Sequence, residues 1–180
     1  MTKPILFSTE MVQAISEGIK TQTRRIKKGD NPQYQKGDIL WVRETWAEFG
    51  SGFIYKAHDF QEYEDIGVKW RPSIHMPKKA ARIFLKITNV RCERLQDISE
   101  EDAIAEGLTR DTCMYLNFKK IPMYKDFRNK NNFCDDARSS FMTLWINTYS
   151  EQNWNENPFV WVYEFKFIDE IKYGTNALLL

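Results

Sequence analysis

A chain of 180 residues with a formal net charge of +1 is long enough to bury one hydrophobic core without disulfides or a structural metal, and two domains of half that length would each be thin. Near-neutrality excludes the uniformly basic coat of a protein that grips long duplexes nonspecifically, so any nucleic-acid contact must be local. The cysteines Cys92, Cys113 and Cys134 are odd in number and far apart, which argues against a disulfide framework and a thiolate zinc site and fits a reducing cytoplasm.

His58 and His75 are too scattered for a metal cluster, and no metal or cofactor is expected. The N-terminus, Met1-Thr2-Lys3-Pro4, turns amphipathic within ten residues and lacks the apolar core of a signal peptide. No apolar run reaches membrane-spanning length, so the expectation is a cytoplasmic protein with no membrane partner. The basic residues fall in two islands: Lys20, Arg24, Arg25, Lys27 and Lys28, then Lys78, Lys79 and Arg82, with an acidic stretch at 59–65 offsetting them.

In chain order, Ile5, Leu6 and Phe7 read as a short strand. Ser8 or Thr9 then caps a helix carrying Met11, Val12, Ala14 and Ile15 on one side, with Gly18 at its C′ position. Residues 20–25 read as strand or extended loop leading to a turn at Lys28-Gly29-Asp30-Asn31-Pro32. After turn chemistry at Lys36-Gly37-Asp38, residues 39–46 form a strand, with 53–57 as its hairpin partner. Ile83, Leu85 and Ile87 alternate with Phe84, Lys86 and Thr88, the mark of a strand with one buried face. Ser99 caps a helix opened by Glu100, Glu101 and Asp102 and closed by Gly107.

Residues 109–132 show no clear period and read as a long excursion with room for one helical turn. Asp135 or Asp136 caps a helix with Phe141, Leu144, Trp145 and Thr148 on one face. Phe159, Trp161, Tyr163, Phe165 and Phe167 alternate with Val160, Val162, Glu164 and Lys166, a central strand with Trp161 and Phe165 facing inward. Strands of mixed spacing with short helices between them favour an α+β fold built on a small mixed β-barrel over a doubly wound parallel sheet.

Gly18-Ile19-Lys20-Thr21-Gln22-Thr23-Arg24-Arg25, Lys36-Gly37-Asp38-Ile39-Leu40-Trp41-Val42, the helix 98–107 and the strand 161–165 together resemble the ASCH family, whose fold is similar to PUA domains. Trp70-Arg71-Pro72-Ser73-Ile74-His75-Met76-Pro77 and Val42-Arg43-Glu44-Thr45-Trp46 resemble the longer members found in bacteriophages and prophages. The resemblance implies one domain over 1–170 in a bacterial host cell, with an insertion at 109–134 and a tail at 171–180. It further implies RNA or a modified nucleoside as partner. Some compact ASCH proteins are amidohydrolases acting on N4-acetylcytidine through a lysine, a threonine and a glutamate, and the matching positions are Lys20, Thr23 and Glu106.

A threonine hydroxyl becomes nucleophilic only when a base takes its proton, and a lysine serves only if burial or neighbouring cations lower its pKa by about 3 units. Arg24 and Arg25 supply such a field, and Glu106 protonates the leaving amine or activates a water. In an unbroken strand, however, Lys20 sides with Gln22 and Arg24, away from Thr23. The binding set comprises Lys20, Thr21, Arg24 and Arg25 together with Glu44, Trp46, Trp70, Arg71 and His75. Trp41 reads as core, whereas Trp46 and Trp70 lie near turns and keep exposure for stacking; His75 reads as a packing residue before a general base. Three functions follow: binding of RNA or a modified nucleoside, amide hydrolysis on a modified cytidine, and a phage structural or regulatory role through protein contacts of 109–134, whose aromatics Tyr115, Phe118, Tyr124, Phe127 and Phe133 suit an interface.

Overall fold

The computed structural model describes residues 2–63, 67–110, 112–116, 119–129 and 131–168, with the backbone alone for 59–62, 112–116 and 119–120. In chain order the elements are β1 (Thr2–Leu6), α1 (Thr9–Ser16), β2 (Gln22–Ile26), β3 (Ile39–Arg43), β4 (Trp46–Phe49), β5 (Gly52–Tyr55), α2 (Lys56–Tyr63) and β6 (Phe84–Arg94). There follow α3 (Glu100–Ala105), β7 (Thr112–Leu116), β8 (Lys119–Lys125), β9 (Phe133–Cys134), α4 (Ala137–Thr148), α5 (Glu151–Asn155) and β10 (Phe159–Ile168). The fold is mixed α+β, and its main sheet runs in the order β1-β3-β6-β10-β2. β3 with β6 and β10 with β2 are antiparallel, while β1 runs parallel to β3. Among the described residues no helix is long and apolar enough to cross a membrane.

Two compact units divide the chain. The first comprises Met1–Gly18, Tyr34–Asn89 and Phe165–Leu180. Ser8 caps α1 by accepting from the Met11 amide, and Gly18, at φ +74°, takes the left-handed turn that ends it. Met11, Val12, Ala14 and Ile15 are buried as their spacing predicts. Leu40, Val42, Leu85 and Ile87 are buried in the paired strands β3 and β6. The predicted single strand 39–46 is in fact two. Glu44 interrupts it, because its amide turns to the Met76 sulfur at 3.2 Å and its carboxylate is clamped by Arg82 at 2.9 Å through both oxygens. Trp46 therefore opens β4, which pairs with β5 in a separate hairpin, so residues 53–55 partner β4 rather than β3, and Lys56 opens a helix that the sequence reading did not anticipate.

The second unit comprises Ile19–Gln33 and Val90–Glu164. Its core gathers Leu95, Ile98, Ala103, Leu108, Tyr124, Phe141, Trp145, Val160 and Val162. Ser99 caps α3 and Asp136 caps α4, each side chain accepting an amide three residues on. Phe141 and Trp145 are buried on α4 as expected, but Thr148 is exposed and Thr143 buried instead, its hydroxyl accepting from the Phe127 amide at 3.0 Å. The excursion 109–132 contains the antiparallel pair β7 and β8. Pro122, which removes a ladder donor, and a polar-aromatic composition hid that strand in the sequence. Tyr124 packs into the core and Phe127 against it, which withdraws both from an interaction arm; Phe133 is exposed, and the side chains of Tyr115 and Phe118 lie outside the described residues, as does the tail 171–180.

The alternation along β10 is only half of its burial pattern. Val160 and Val162 are fully buried beside Tyr163 and Phe165, whereas Phe159 and Phe167 are 46% and 47% exposed. The middle of the strand is covered on both faces, and the aromatic ends emerge from cover.

Asp136 accepts from both the amide and the hydroxyl of Ser139, at 2.7 and 2.9 Å. Asp136→Ala should cost about 1–2 kcal/mol in urea unfolding, whereas the same change at Glu151, exposed on α5, should stay within about 0.5 kcal/mol.

Candidate functional site

The segment that leaves α1 turns at Gly18 and reaches β2 with Lys20 buried, 4% exposed. The Thr21 amide donates to the Ala105 carbonyl at 2.9 Å, and the Gln22 amide side chain donates to the Asp102 carbonyl at 2.8 Å. These bonds hold the start of β2 against the end of α3. Glu106 caps α3 and Gly107 follows at φ +99°. A carboxylate at a helix C-terminus is unfavourably placed in the dipole and needs cations. Lys20 supplies one, donating to the Glu106 carbonyl at 2.7 Å and to its carboxylate at 2.9 Å. Arg24 supplies another, donating to the second carboxylate oxygen at 3.0 Å.

Arg24 makes further bonds through its terminal amino groups, while its Nε is buried without a partner. Its guanidinium also donates to Asp102 at 2.8 Å and to Glu93 at 2.5 Å, and it lies 5.7 Å from the centroid of the Phe141 ring. Arg91 extends the cluster by pairing with Glu93, Asp102 and Glu164. Arg24, expected to reach a phosphate or base edge, is instead 1% exposed and committed to carboxylates. The bulk of its charge is spent inside the unit.

Burial pulls the Lys20 ammonium below the ordinary lysine range; the adjacent Glu106 opposes that pull, and the Arg25 and Arg24 charges reinforce it. Burial also opposes ionisation of Asp102, but the Arg24 and Arg91 guanidiniums outweigh it and hold the carboxyl below the ordinary aspartate range.

The structure brings Lys20 and Glu106 together and sets Thr23 elsewhere. Strand alternation puts Gln22 and Arg24 on one face of β2, Thr23 and Arg25 on the other. Thr23 is buried and its hydroxyl accepts from Arg25 at 2.7 Å. In register, Thr23 faces Tyr163 and Arg25 faces Trp161 on β10. On that side opens a cavity of about 430 Å³ lined by Arg25, Lys28, Asn31, Gln33, Trp161 and Tyr163 among others. The Tyr163 hydroxyl accepts from the Gln33 amide at 3.1 Å, which ties the loop after β2 to the strand. Lys27 stands 5.6 Å from the Trp161 ring centroid. Sequence reasoning found Arg25 but missed the other lining residues. The signals were the aromatic half of the β10 alternation, whose Trp161, expected to face inward, is half-buried and lines the cavity, and the Asn31-Pro32 turn.

Of the remaining predicted ligand residues, Thr21 belongs to the second unit and the others to the first. Glu44 is 1% exposed with both carboxylate oxygens held by Arg82, so it is structural rather than ligand-facing. Trp46, expected to keep exposure, is 2% exposed, with Met76 and Ala80 packed on it and the Phe53 ring edge-on at 5.6 Å. Paired backbone bonds with Arg71 lock it there. Trp70 is half-buried, and Thr21, Arg71 and His75 are exposed. The exposure of His75 removes it from the packing role that its apolar neighbours suggested.

The geometry defines a mixed α+β protein in which β2 carries a buried ion-pair cluster on one face and an aromatic, basic cavity on the other. No family model matches the sequence, and no curated protein matches it. A hypothetical protein, PH0355, aligns over 93% of this chain and 100% of its own at 12% identity and a TM-score of 0.46. EF3133 from Enterococcus faecalis V583, a DUF984 protein, aligns over 97% of this chain and 82% of its own at 13% identity and a TM-score of 0.44. No activity is carried over from either.

Arg24→Ala removes the fully buried cation shared by Glu93, Asp102 and Glu106 and should destabilise the fold by about 3–5 kcal/mol, read as a loss in thermal and urea midpoints. The lowered Asp102 pKa sets the sign of an acid response. A carboxyl depressed in the folded state contributes stability that is present above its unfolded pKa and is lost as pH falls through the folded one. Asp102→Asn should therefore destabilise the protein at neutral pH and flatten the decline in stability on acidification, as measured by urea midpoints across that range.

Proposed function

We propose that the chain is an ASCH-type, PUA-like domain whose strands build a small barrel, and that it binds RNA or a modified nucleoside in the cavity beside β2 and β10. The observation that carries this reading is the lining of that cavity. Two cations, Arg25 and Lys28, stand with the side-chain amides of Asn31 and Gln33 and the ring systems of Trp161 and Tyr163. Charged groups suit a phosphate, amides suit base edges, and an indole offers a stacking surface whose loss costs about 1–3 kcal/mol per base. A volume of about 430 Å³ lies in the range of small-ligand sites. The resemblance of the Lys20 to Arg25 segment to the ASCH motif supports a role for the same strand.

A second reading, amide hydrolysis on N4-acetylcytidine or a related base, is favoured by the buried Lys20 with its lowered pKa beside Glu106. A neutral lysine can accept a proton from a water that attacks the amide carbonyl and, as the C–N bond breaks, pass that proton to the leaving amine. Thr23, on the other face of β2 and bonded to Arg25, stands outside that chemistry.

Calorimetry with cytidine, N4-acetylcytidine and their 5′-monophosphates tests binding, and mass analysis of the same mixtures tests turnover. Trp161→Ala should weaken nucleotide affinity by about 10-fold or more, and Arg25→Ala should weaken the monophosphates more than the nucleosides. Wild-type affinity in a folded Trp161→Ala protein removes the cavity from the site. Released acetate that vanishes in Lys20→Ala supports the hydrolase reading, and its absence from the wild-type protein ends it.

A further inference from the structure

Between residues 66 and 92 the sequence contains no aspartate or glutamate, while Lys69, Arg71, Lys78, Lys79 and Arg82 fall within its first part. The first unit folds residues 71–82 over a row of aromatic rings. Trp46 pairs with Tyr55 across the β4–β5 hairpin, and Phe53 lies two residues from Tyr55, so the three rings share one face. Met76 and Ala80 pack on Trp46, and the Tyr55 hydroxyl donates to the Ala80 carbonyl at 2.8 Å. Pro72 and Pro77 precede the two 3-10 turns, Ser73–His75 and Lys78–Ala80, and fix the backbone before each.

Cations then stand along the row. The Arg71 guanidinium lies 5.2 Å from the Trp46 centroid, the Lys79 ammonium 5.9 Å from Phe53, and the Arg82 guanidinium 4.3 Å from Tyr55. Arg82 is neutralised by buried Glu44. Arg71 meets Glu48 at 3.3 Å, with both side chains about half exposed, a contact that solvent largely screens. Lys69, Lys78 and Lys79 are exposed, and among the described residues none has a carboxylate partner; Lys78 donates to the Thr2 hydroxyl. Between Lys69 and Arg71 lies the half-buried Trp70, and Ile74 is 59% exposed.

We infer that this strip, rather than the first basic island, holds the phosphate backbone of single-stranded RNA. The inference rests on the RNA-binding reading above and names the surface that serves the polymer. A series of exposed cations suits successive phosphates better than one small anion, and half-buried Trp70, between Lys69 and Arg71 in the chain, offers a base a stacking surface. Arg24, the central cation of the first island, is already consumed.

The test is fluorescence anisotropy of a labelled 12-nucleotide RNA between 50 and 200 mM salt, using wild type and the Lys69→Ala, Lys78→Ala, Lys79→Ala triple variant. Each phosphate contact on a single strand contributes about 0.7 to the slope of log affinity against log salt, so the triple variant should lose about 2 from that slope and bind about 10-fold or more weakly at low salt. Its affinity for cytidine monophosphate should stay within about 2-fold of wild type. If removal of Lys79 from the Phe53 ring lowers the melting temperature, the Lys69→Ala, Lys78→Ala pair serves, with an expected loss of about 1.4. An unchanged slope in a folded variant overturns the inference. So does a wild-type protein that binds the monophosphate but not the oligomer, an outcome that leaves the cavity reading standing. Equal loss of binding to polyglutamate or to phosphatidylserine vesicles, with no preference for RNA in the wild type, overturns the choice of partner.

Discussion

The Glu106 carboxylate sits where a helix tolerates negative charge least, at the C-terminal end of α3, and the second unit is organised around neutralising it. α3 has only six residues, far below the length at which a helix holds in water by itself. Its C-terminal turn is secured from β2: the Thr21 amide takes the Ala105 carbonyl, Lys20 takes the Glu106 carbonyl, and Gln22 takes the Asp102 carbonyl. Carbonyls left open by the end of the helix are thereby satisfied. The cluster that results contains Lys20, Arg24 and Arg91 against Glu93, Asp102, Glu106 and Glu164. Buried charges in such a network hold only while every partner is present, so the register between β2 and α3 is fixed by the same contacts that remove the charges from water.

That arrangement divides the labour of β2. Arg24 points to the cluster and is unavailable to ligand; Arg25, one residue on, points to the cavity beside Trp161. Two adjacent arginines of the same motif thus take opposite roles because a strand alternates its side chains. The Thr23 hydroxyl accepts from Arg25 and steadies the guanidinium at the edge of the cavity. The lining of the cavity and the ion-pair cluster are separated by the thickness of one strand.

Much of the local structure was legible in the sequence because it depends on neighbours in the chain. The caps Ser8, Ser99 and Asp136 and the glycine stops Gly18 and Gly107 stand where hydrogen-bond chemistry and positive φ require them. What escaped was set by contacts distant in sequence. Glu44 breaks its strand because Arg82 and Met76 claim it, and neither partner is visible from residues 39–46. Trp46 and His75 exchanged their expected environments for the same reason: the segment 70–82 covers the tryptophan and leaves the histidine outside. At the site, the resemblance pointed to Lys20, Thr23 and Glu106, of which the structure joins only Lys20 and Glu106. The resemblance did not reveal that Arg24 would be buried by Glu93 and Asp102, since those carboxylates come from other elements.

The placement of Arg24 bears on where the Lys20 proton resides. A buried lysine facing a carboxylate is drawn in two directions, since desolvation favours the neutral amine and the anion favours the ammonium. Here the anion is shared. One Glu106 oxygen binds Lys20 and the other binds Arg24, so part of the field that would hold the lysine proton is spent on a guanidinium that cannot release its own. The positive charge of Arg24 also acts directly against that of Lys20. Asp102 and Glu93 anchor Arg24 in this position from its other amino group. Burial is the main cause of the lowered Lys20 pKa, and the carboxylates that anchor Arg24 add to it by holding that guanidinium near the lysine.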